Sequence, residues 1–198
     1  MLIPVTTANQ LEELHGLPVL AIDLGFSGKT ASCGLAFCNP QGALIESSNY
    51  KFYDCALKAA ELLATNKNSV MILEAPLSAT FNSDGNPQPR GDFEAIPKPR
   101  WWSIGPGATM SLAAMYFLKE ICQRVPKEIS CNLIEGYVTG AESGNHADVA
   151  ESLLNNLWSA GSSNWHQPNG STLVSILDWI EPSERPNGSP IILSPKPQ

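Results

Sequence analysis

The chain has 198 residues, of which 43% are hydrophobic and 16% are charged, and its formal net charge is −7. This length and composition predict one domain, because a chain of this size can bury a sizeable core in a single unit. The negative charge argues against a protein that holds nucleic acid through a broad basic face. Any role with nucleic acid therefore requires a local basic patch or a protein partner.

The apolar segments predict a soluble, cytoplasmic protein that makes no membrane contact. No run approaches the roughly 18 to 20 apolar residues that span a bilayer, and no basic segment precedes an apolar core at the N-terminus. The five cysteines stand at irregular spacing, and no C-x-x-C pair suggests a zinc site. We expect reduced thiols in the core at Cys33, Cys38, Cys55, Cys122 and Cys131.

The first predicted elements are a short helix over residues 5–15 and a fully buried strand over 18–24. Two further strands, over 32–37 and 43–52, are joined by the turn sequence NPQG and begin a meander. The stretch DLGFSGKT at the end of the first strand resembles a phosphate-binding P-loop. It departs from that motif because Asp23 stands where the first glycine is required, and because a strand follows instead of a helix.

The middle of the chain alternates between helices and strands. Asp54 is expected to cap a helix that ends near Thr65, and an apolar strand over 69–73 then leads directly into Glu74. The next predicted segment, over 78–105, is a long connection rich in glycine, proline and asparagine. Loops of this length inside a compact domain are usually functional or disordered.

A helix over 106–125 and a strand over 129–137 follow, and Asn145 is expected to cap a last helix over 146–158. The remainder is punctuated by glycine, serine and proline. The predicted organisation is an N-terminal helical extension (1–17), one domain (18–160) and a C-terminal arm (161–198).

Acidic residues stand at or near the ends of three predicted strands. Asp23 ends the first strand, Glu74 ends the fourth, and Glu135 lies near the end of the fifth. These strands are expected to lie parallel in the centre of a mixed sheet, and ligands bind such sheets beyond the carboxyl ends of the strands. The last helix adds Asp148 and Glu151, which are three residues apart and so face the same side.

Gathered carboxylates repel one another and raise one another's pKa unless divalent cations neutralise them. Oxygen ligands of this kind suit Mg²⁺ or Mn²⁺ better than zinc. Two such ions, about 3.5 to 4 Å apart, can clamp the attacking and leaving oxygens of a phosphoryl displacement. The chemistry that these acids favour is therefore phosphodiester hydrolysis.

The order of these motifs resembles the RNase H-like superfamily, most nearly the RuvC-type resolvases and a family of predicted RNase H-like nucleases of unknown function. The matching motifs are AIDLGFSG with Asp23, LEAPL with Glu74, and HADVAESLL with Asp148 and Glu151, within residues 18–158. The resemblance implies an α/β fold with a mixed five-stranded sheet, in which a three-strand meander precedes alternating helices and strands and helices cover both faces. It also implies that these four acids bind two Mg²⁺ or Mn²⁺ ions. RuvC-type enzymes carry D-x-x-D on the last helix, whereas this chain has Glu151 as the second acid.

A second group of residues is predicted to contact nucleic acid. Residues 88–102 read QPRGDFEAIPKPRWW, in which basic side chains adjoin two tryptophans that could stack on bases. In the alternative interpretation, neighbouring acids cancel the positive charge and the tryptophans pack against the core. Together with a lysine in the turn after the first strand, the candidates are Lys29, Arg90, Lys98, Arg100, Trp101 and Trp102.

The candidate acids also have structural alternatives. Asp23 could accept backbone N–H bonds in the following turn, and Asp148 could complete a capping box with Asn145. His146 could position water or phosphate, or could simply lie on the helix surface. Two function classes remain open: a metal-dependent nuclease that acts on DNA or RNA, alone or through a protein partner, and a noncatalytic RNase H-like subunit of a larger nucleoprotein complex. An oligomer is compatible with either.

Overall fold

The computed structural model describes residues 1–4, 8–94, 102–103, 107–137, 145–159, 164–169, 172–180 and 190–193. Within these ranges the chain has an α/β architecture with a mixed sheet of seven strands and a separate sheet of three short strands. None of the described helices has both the length and the apolar character needed to cross a membrane.

The strands and helices alternate along the chain after an opening meander. The strands are β1 (Val19–Asp23), β2 (Cys33–Cys38), β3 (Leu44–Tyr50), β4 (Asn68–Glu74), β5 (Ser78–Phe81), β6 (Pro87–Gln88), β7 (Ser130–Gly136), β8 (Trp165–His166), β9 (Thr172–Ser175) and β10 (Ile192–Leu193). The helices are α1 (Phe52–Ala64), α2 (Gly107–Arg124), α3 (His146–Ser159) and α4 (Leu177–Ile180), with 3-10 helices at Ala8–Leu14 and Asp92–Glu94.

The large sheet has the strand order β3-β2-β1-β4-β7-β10-β8. Strands β1, β4 and β7 are parallel neighbours, as predicted, whereas β2 and β3 are antiparallel additions at one side. The predicted number of five strands is wrong because the chain after α3 supplies two more. Strand β10 pairs parallel with the outer edge of β7, and β8 pairs antiparallel with β10. The buried apolar residues 191–193 cover an edge that β7 would otherwise expose.

Side chains of β1 alternate between two cores, one on each face of the sheet. Leu20 and Ile22 pack in the core that contains the buried faces of α1 and α2. Val19 and Ala21 pack in the core that contains the apolar stripe of α3. All five residues of β1 are buried, as expected for a continuous apolar strand that is covered on both faces.

Helix α1 begins earlier than the sequence predicts. Its N-cap is Lys51, which makes no side-chain cap hydrogen bond, and Asp54 lies inside the first turn. The prediction of Asp54 as the cap is therefore wrong. Phe52, the first helical residue, packs edge-on against Phe117 of α2, with ring centroids 5.5 Å apart, so tertiary contact accompanies the earlier start. Asp54 still favours this helix end, because a carboxylate in the first turn faces the positive end of the helix dipole.

The long connection predicted over 78–105 contains regular structure in its described part. Strand β5 pairs antiparallel with β6, and on its other side with β9 from the C-terminal region. The side-chain hydroxyl of Thr80 is buried and donates to the carbonyl oxygen of Gln88 at 2.8 Å. Sequence alone did not reveal this small sheet, because its strands are short and one partner lies about 90 residues away along the chain.

Close packing of α3 against β2 leads to a stability prediction for Gly34. A Cβ atom on Gly34 would lie 1.8 Å from the carbonyl oxygen of His146 and 2.6 Å from the amide nitrogen of Ala147. We expect Gly34→Ala to lower the free energy of unfolding by about 1–3 kcal/mol or more, because backbone atoms must shift to admit the methyl group. Urea unfolding followed by circular dichroism measures this change.

The matched control for that substitution is Gly28→Ala, since a Cβ on Gly28 meets no atom within 4 Å. Its unfolding midpoint should remain within experimental error of the wild-type value. Equal stability of the two variants would contradict the close approach of α3 to β2.

Burial predicts the order in which the cysteines react. All five are free thiols; Cys122 is half-buried and the other four are buried. Burial raises the pKa of the Cys131 thiol to about 12, so little reactive thiolate exists at pH 8. We expect iodoacetamide to modify Cys122 first, and to modify Cys131 only in denaturant, as read by mass spectrometry of peptides. Equal rates at these two cysteines in native protein would refute the prediction.

Candidate functional site

Two buried carboxylates stand side by side at the carboxyl ends of neighbouring parallel strands. Asp23 ends β1 and pairs in register with Glu74, which ends β4. Asp23 is 8% exposed and Glu74 is 3% exposed. Paired residues on neighbouring strands lie about 4.8 Å apart and point to the same face of the sheet. Because Val70 and Ile72 pack with α3, the alternation along β4 places Glu74 on the α3 face as well.

The first residue of α3 completes this group. The Nδ1 atom of His146 lies 2.6 Å from Oδ2 of Asp23, and the histidine side chain is 39% exposed. This contact is an ion pair whenever the imidazole is protonated. The N-terminus of α3 also carries a positive partial charge, which favours a carboxylate nearby. The buried charge of Asp23 is therefore stabilised from the helix side.

The packing of α3 on the sheet depends on the absence of a side chain at Gly34. Gly34 pairs in register with Asp23 on β1, and the backbone of His146 and Ala147 lies directly against it. Any larger residue would hold the helix away from the sheet. Gly34 therefore sets the separation between β1 and the helix end that carries the histidine.

Two asparagines cap α3, and one of them was not predicted. The Oδ1 atom of Asn145 accepts the amide N–H of Ala147 at 3.2 Å, in agreement with the predicted cap. Asn49 of β3 accepts the same N–H at 2.9 Å and donates its own amide to Asn145 at 2.7 Å. These bonds satisfy one of the free N–H groups in the first turn of α3 and fix the start of the helix against the sheet.

Asp148 lies in the first turn of α3 and is exposed. One of its carboxylate oxygens accepts a hydrogen bond from the side-chain amide of Asn145 at 2.7 Å. Asp148 and Asn145 are thus in contact through their side chains, and the backbone bond of the predicted capping box stays a prediction. The exposed position leaves this carboxylate accessible to a cation at the helix end.

Glu151 is directed to a different part of the sheet. Its Oε1 atom accepts a hydrogen bond from the hydroxyl of Ser47 on β3. In the sheet order β3 lies two strands from β1 and three from β4, which corresponds to about 10 Å and 14 Å. The structure therefore does not bring Glu151 together with Asp23 and Glu74. Among the residues that the structure describes, no group of three or more His, Cys, Asp and Glu side chains is arranged to hold a metal ion.

Glu135 lies on the opposite face of the sheet from the paired carboxylates. It pairs in register with Leu73, so it shares the face of Leu73 and not that of Glu74. Glu135 is 1% exposed, and its Oε2 atom accepts the amide N–H of Leu77 at 2.8 Å. Because Glu135 pairs with Leu73 and not with Glu74, its side chain lies on the face of the sheet opposite the candidate site.

A fully buried arginine neutralises Glu135. The Nη1 atom of Arg90 lies 2.6 Å from Glu135, and its Nη2 atom lies 2.6 Å from Glu94 of the 3-10 helix. Burial raises the pKa of Glu135, while the charge of Arg90 and the N–H of Leu77 oppose that rise. The prediction that Arg90 binds nucleic acid is therefore wrong, because its guanidinium is 0% exposed and bonded to two carboxylates.

The other residues predicted to contact nucleic acid differ in their exposure. Trp102 is half-buried, packs edge-on against Phe81 at 5.2 Å, and donates its indole N–H to the carbonyl of Gln88 at 3.2 Å. Trp102 thus packs against the protein, as expected if the tryptophans contribute to the core instead of stacking on bases. Lys29 is exposed in the loop after Asp23. Lys98, Arg100 and Trp101 lie outside the described residues.

Several residues of this region were missed by reasoning from sequence. The Arg90–Glu94 pair has the i, i+4 spacing of a helical ion pair, but no local pattern indicates that Glu135 joins it. Ser47 and Asn49 alternate along a strand as ordinary polar residues, and only the packed structure shows that both contact α3.

Comparison of the sequence with protein-family models and curated proteins, and of the structure with solved structures, gives no match. The chemistry of the candidate site is therefore argued from its own residues.

The buried arginine provides a test of this arrangement. We expect Arg90→Ala to lower the free energy of unfolding by about 3–5 kcal/mol, because it removes the buried cation with which both Glu94 and Glu135 pair. Arg124→Ala is the control, since Arg124 pairs with Glu120 on the surface of α2 and such pairs contribute about 1 kcal/mol or less. Urea unfolding compares the two variants. Similar losses of stability would show that Arg90 is not buried among acids.

Proposed function

We propose that this protein is a divalent-metal-dependent nuclease that hydrolyses phosphodiester bonds in DNA or RNA. The observation that carries the proposal is the pair of buried carboxylates, Asp23 and Glu74, at the ends of neighbouring parallel strands. A buried carboxylate is stabilised by a nearby cation or hydrogen-bond donor, and a divalent metal ion is one such cation. Their position at the carboxyl edge is where ligands bind in sheets of this kind.

The order of the strands supports an RNase H-like domain. Strands β1, β2 and β3 form a meander, and β4 and β7 follow as parallel neighbours on the other side of β1. Helices α1 and α2 cover one face and α3 covers the other. This is the arrangement that the motif resemblance implies. In this interpretation β10 and β8 are additions at the edge beyond β7.

The donor set fits a hard cation in part. Carboxylate oxygens are the ligands that Mg²⁺ and Mn²⁺ prefer, and Asp23 and Glu74 supply them from adjacent strands. Asp148 would contribute a third carboxylate from the exposed turn of α3. We assign Glu151 a structural role, since its carboxylate is bonded to Ser47. When bound, one or two such ions would polarise the phosphate and lower the pKa of the attacking water.

His146 has a distinct role in this scheme. Its Nδ1 contact holds Oδ2 of Asp23 and fixes the orientation of that carboxylate. Because the imidazole is more than one third exposed, its other nitrogen can face the substrate and exchange a proton with a water or a phosphate oxygen. We therefore expect His146→Ala to lower kcat more than it lowers substrate affinity.

Cleavage assays on labelled single-stranded, duplex and branched DNA and RNA, with Mg²⁺ or Mn²⁺, test the proposal. Wild-type protein should cleave one substrate class, and EDTA should abolish the cleavage. Asp23→Asn and Glu74→Gln should each lower the rate by about 100-fold or more, since loss of even an outer-shell partner costs about 10- to 100-fold. Calorimetric titration with Mn²⁺ should show weakened binding in the same two variants.

Two further variants test whether Glu151 is a metal ligand and provide a control for Glu74→Gln. Glu151→Gln should retain most activity, because a glutamine oxygen can still accept the Ser47 hydroxyl. Glu61→Gln is the matched control for Glu74→Gln, since its side chain is 67% exposed on α1 at the opposite face. Full activity of Asp23→Asn would overturn the nuclease assignment. A large loss in Glu151→Gln would restore Glu151 to the set of metal ligands.

A second candidate function is a noncatalytic subunit of a nucleoprotein complex. The net charge of −7 and the contact that already occupies Asp23 favour it. This candidate requires that wild-type protein cleaves none of the substrates, and that Asp23→Asn leaves nucleic-acid or partner binding unchanged. Any metal-dependent cleavage that is lost in Asp23→Asn excludes it.

A further inference from the structure

The loop between β1 and β2 presents an aromatic ring and a positive charge beside the candidate site. Residues 24–32 begin immediately after Asp23 and contain one lysine and no acidic residue, in a protein of net charge −7. Phe26 is 51% exposed, and Lys29 is also exposed. Three residues of chain span at most about 11 Å, so the Cα atom of Phe26 lies within that distance of the Cα atom of Asp23.

Both ends of this loop are fixed to each other. The Cys33 thiol donates to the carbonyl oxygen of Gly25 at 2.7 Å, and the amide N–H of Ser27 donates to the hydroxyl of Ser32 at 2.9 Å. A Cβ atom on Gly25 would lie 2.0 Å from the carbonyl oxygen of Ser32, so the two sides of the loop are in direct backbone contact. The base of the loop is therefore held at a defined distance from Asp23.

The tip of the loop is folded by one hydroxyl group. The Oγ atom of Ser27 accepts the amide N–H groups of Lys29 and Thr30, both at 3.3 Å. These bonds turn the backbone inward and use the local donors, while the side chains of Phe26 and Lys29 stay in solvent. A ring on a preorganised backbone binds a ligand with a smaller loss of conformational entropy than a ring on a flexible one.

An exposed aromatic ring and an exposed lysine on the same loop suit a nucleotide whose base is unpaired. Stacking of a base on an aromatic side chain contributes about 1–3 kcal/mol, and lysine contributes attraction to the phosphate. Bases inside a duplex are already stacked on their neighbours, so an exposed ring can stack only on a base that has left the helix. The same chemistry serves DNA and RNA.

We propose that Phe26 and Lys29 form a binding site for an unpaired nucleotide next to the scissile phosphate, so that the preferred substrate is single-stranded or locally unpaired nucleic acid. This inference rests on the nuclease proposal, because it takes its substrate from the site at Asp23. It adds the substrate class and two binding residues that contribute through contact with the base and the adjoining phosphate.

Binding without metal tests the inference separately from cleavage. Fluorescence anisotropy with short labelled oligothymidylate and oligouridylate, in EDTA, should show that wild-type protein prefers single strands to a duplex of the same length. Phe26→Ala should weaken single-strand binding by about 5- to 150-fold, which corresponds to 1–3 kcal/mol of stacking. Phe26→Trp should retain the affinity, because its ring also stacks.

The contribution of Lys29 is measured by the salt dependence of binding. Lys29→Gln should weaken binding and reduce the slope of log K against log salt by about 0.7, the value expected for one phosphate contact on a single strand. Tyr53→Ala is the control, since Tyr53 is 47% exposed on α1, at the opposite face of the sheet. That variant should bind like the wild type.

Several results would overturn the inference. These are wild-type affinity in Phe26→Ala with a native circular dichroism spectrum, a preference for duplex, or no oligonucleotide binding by wild-type protein at low salt. If Phe26→Ala binds and cleaves normally while Asp23→Asn is inactive, the inference fails and the nuclease stands. If single-strand binding depends on Phe26 but no substrate is cleaved, the binding site stands and the nuclease fails.

Discussion

The approach of α3 to the sheet at Gly34 is the constraint on which the candidate site depends. With no side chain at this position, the first turn of the helix lies against β2 and its backbone touches the strand. That contact allows His146 to reach Asp23 and allows Asn49 to cap the helix through the amide N–H of Ala147. A wider separation would remove these bonds together, because all of them start from the same helix end.

The protein buries acidic side chains on both faces of one sheet, and these acids have different partners on the two faces. On the face of α1 and α2, Glu135 is fully enclosed and bonded to Arg90, which also binds Glu94. In that cluster one cation pairs with two carboxylates, and it joins the segment after β5 to β7. On the α3 face, Asp23 contacts the partially exposed side chain of His146. Of these two groups, the second lies beside a partly exposed histidine, which is why we place the proposed chemistry there.

Much of the fold could be predicted from the sequence, because the signals are local. Strands β1, β4 and β7 are apolar runs, α2 and α3 have apolar residues at helical spacing, and Asn145 lies directly before a helix as a cap. The C-terminal strands could not be predicted in the same way. Strand β10 has only two residues, and it forms because the edge of β7 offers hydrogen-bond partners to a short apolar segment far along the chain. Such a strand has no local signal.

The sequence by itself determined that acids stand at the ends of buried strands, and so that a carboxylate site could form at the edge of the sheet. Only the tertiary structure decided which acids meet. Glu135 was separated from Glu74 by one step in register, and Glu151 was directed to Ser47, 104 residues away along the chain. Arg90 became part of the core because it pairs with two buried carboxylates. These belong to Glu94 and Glu135, which lie 4 and 45 residues away along the chain. The physical reason is that strand order, register and helix separation set these distances, and each depends on the packing of the whole domain.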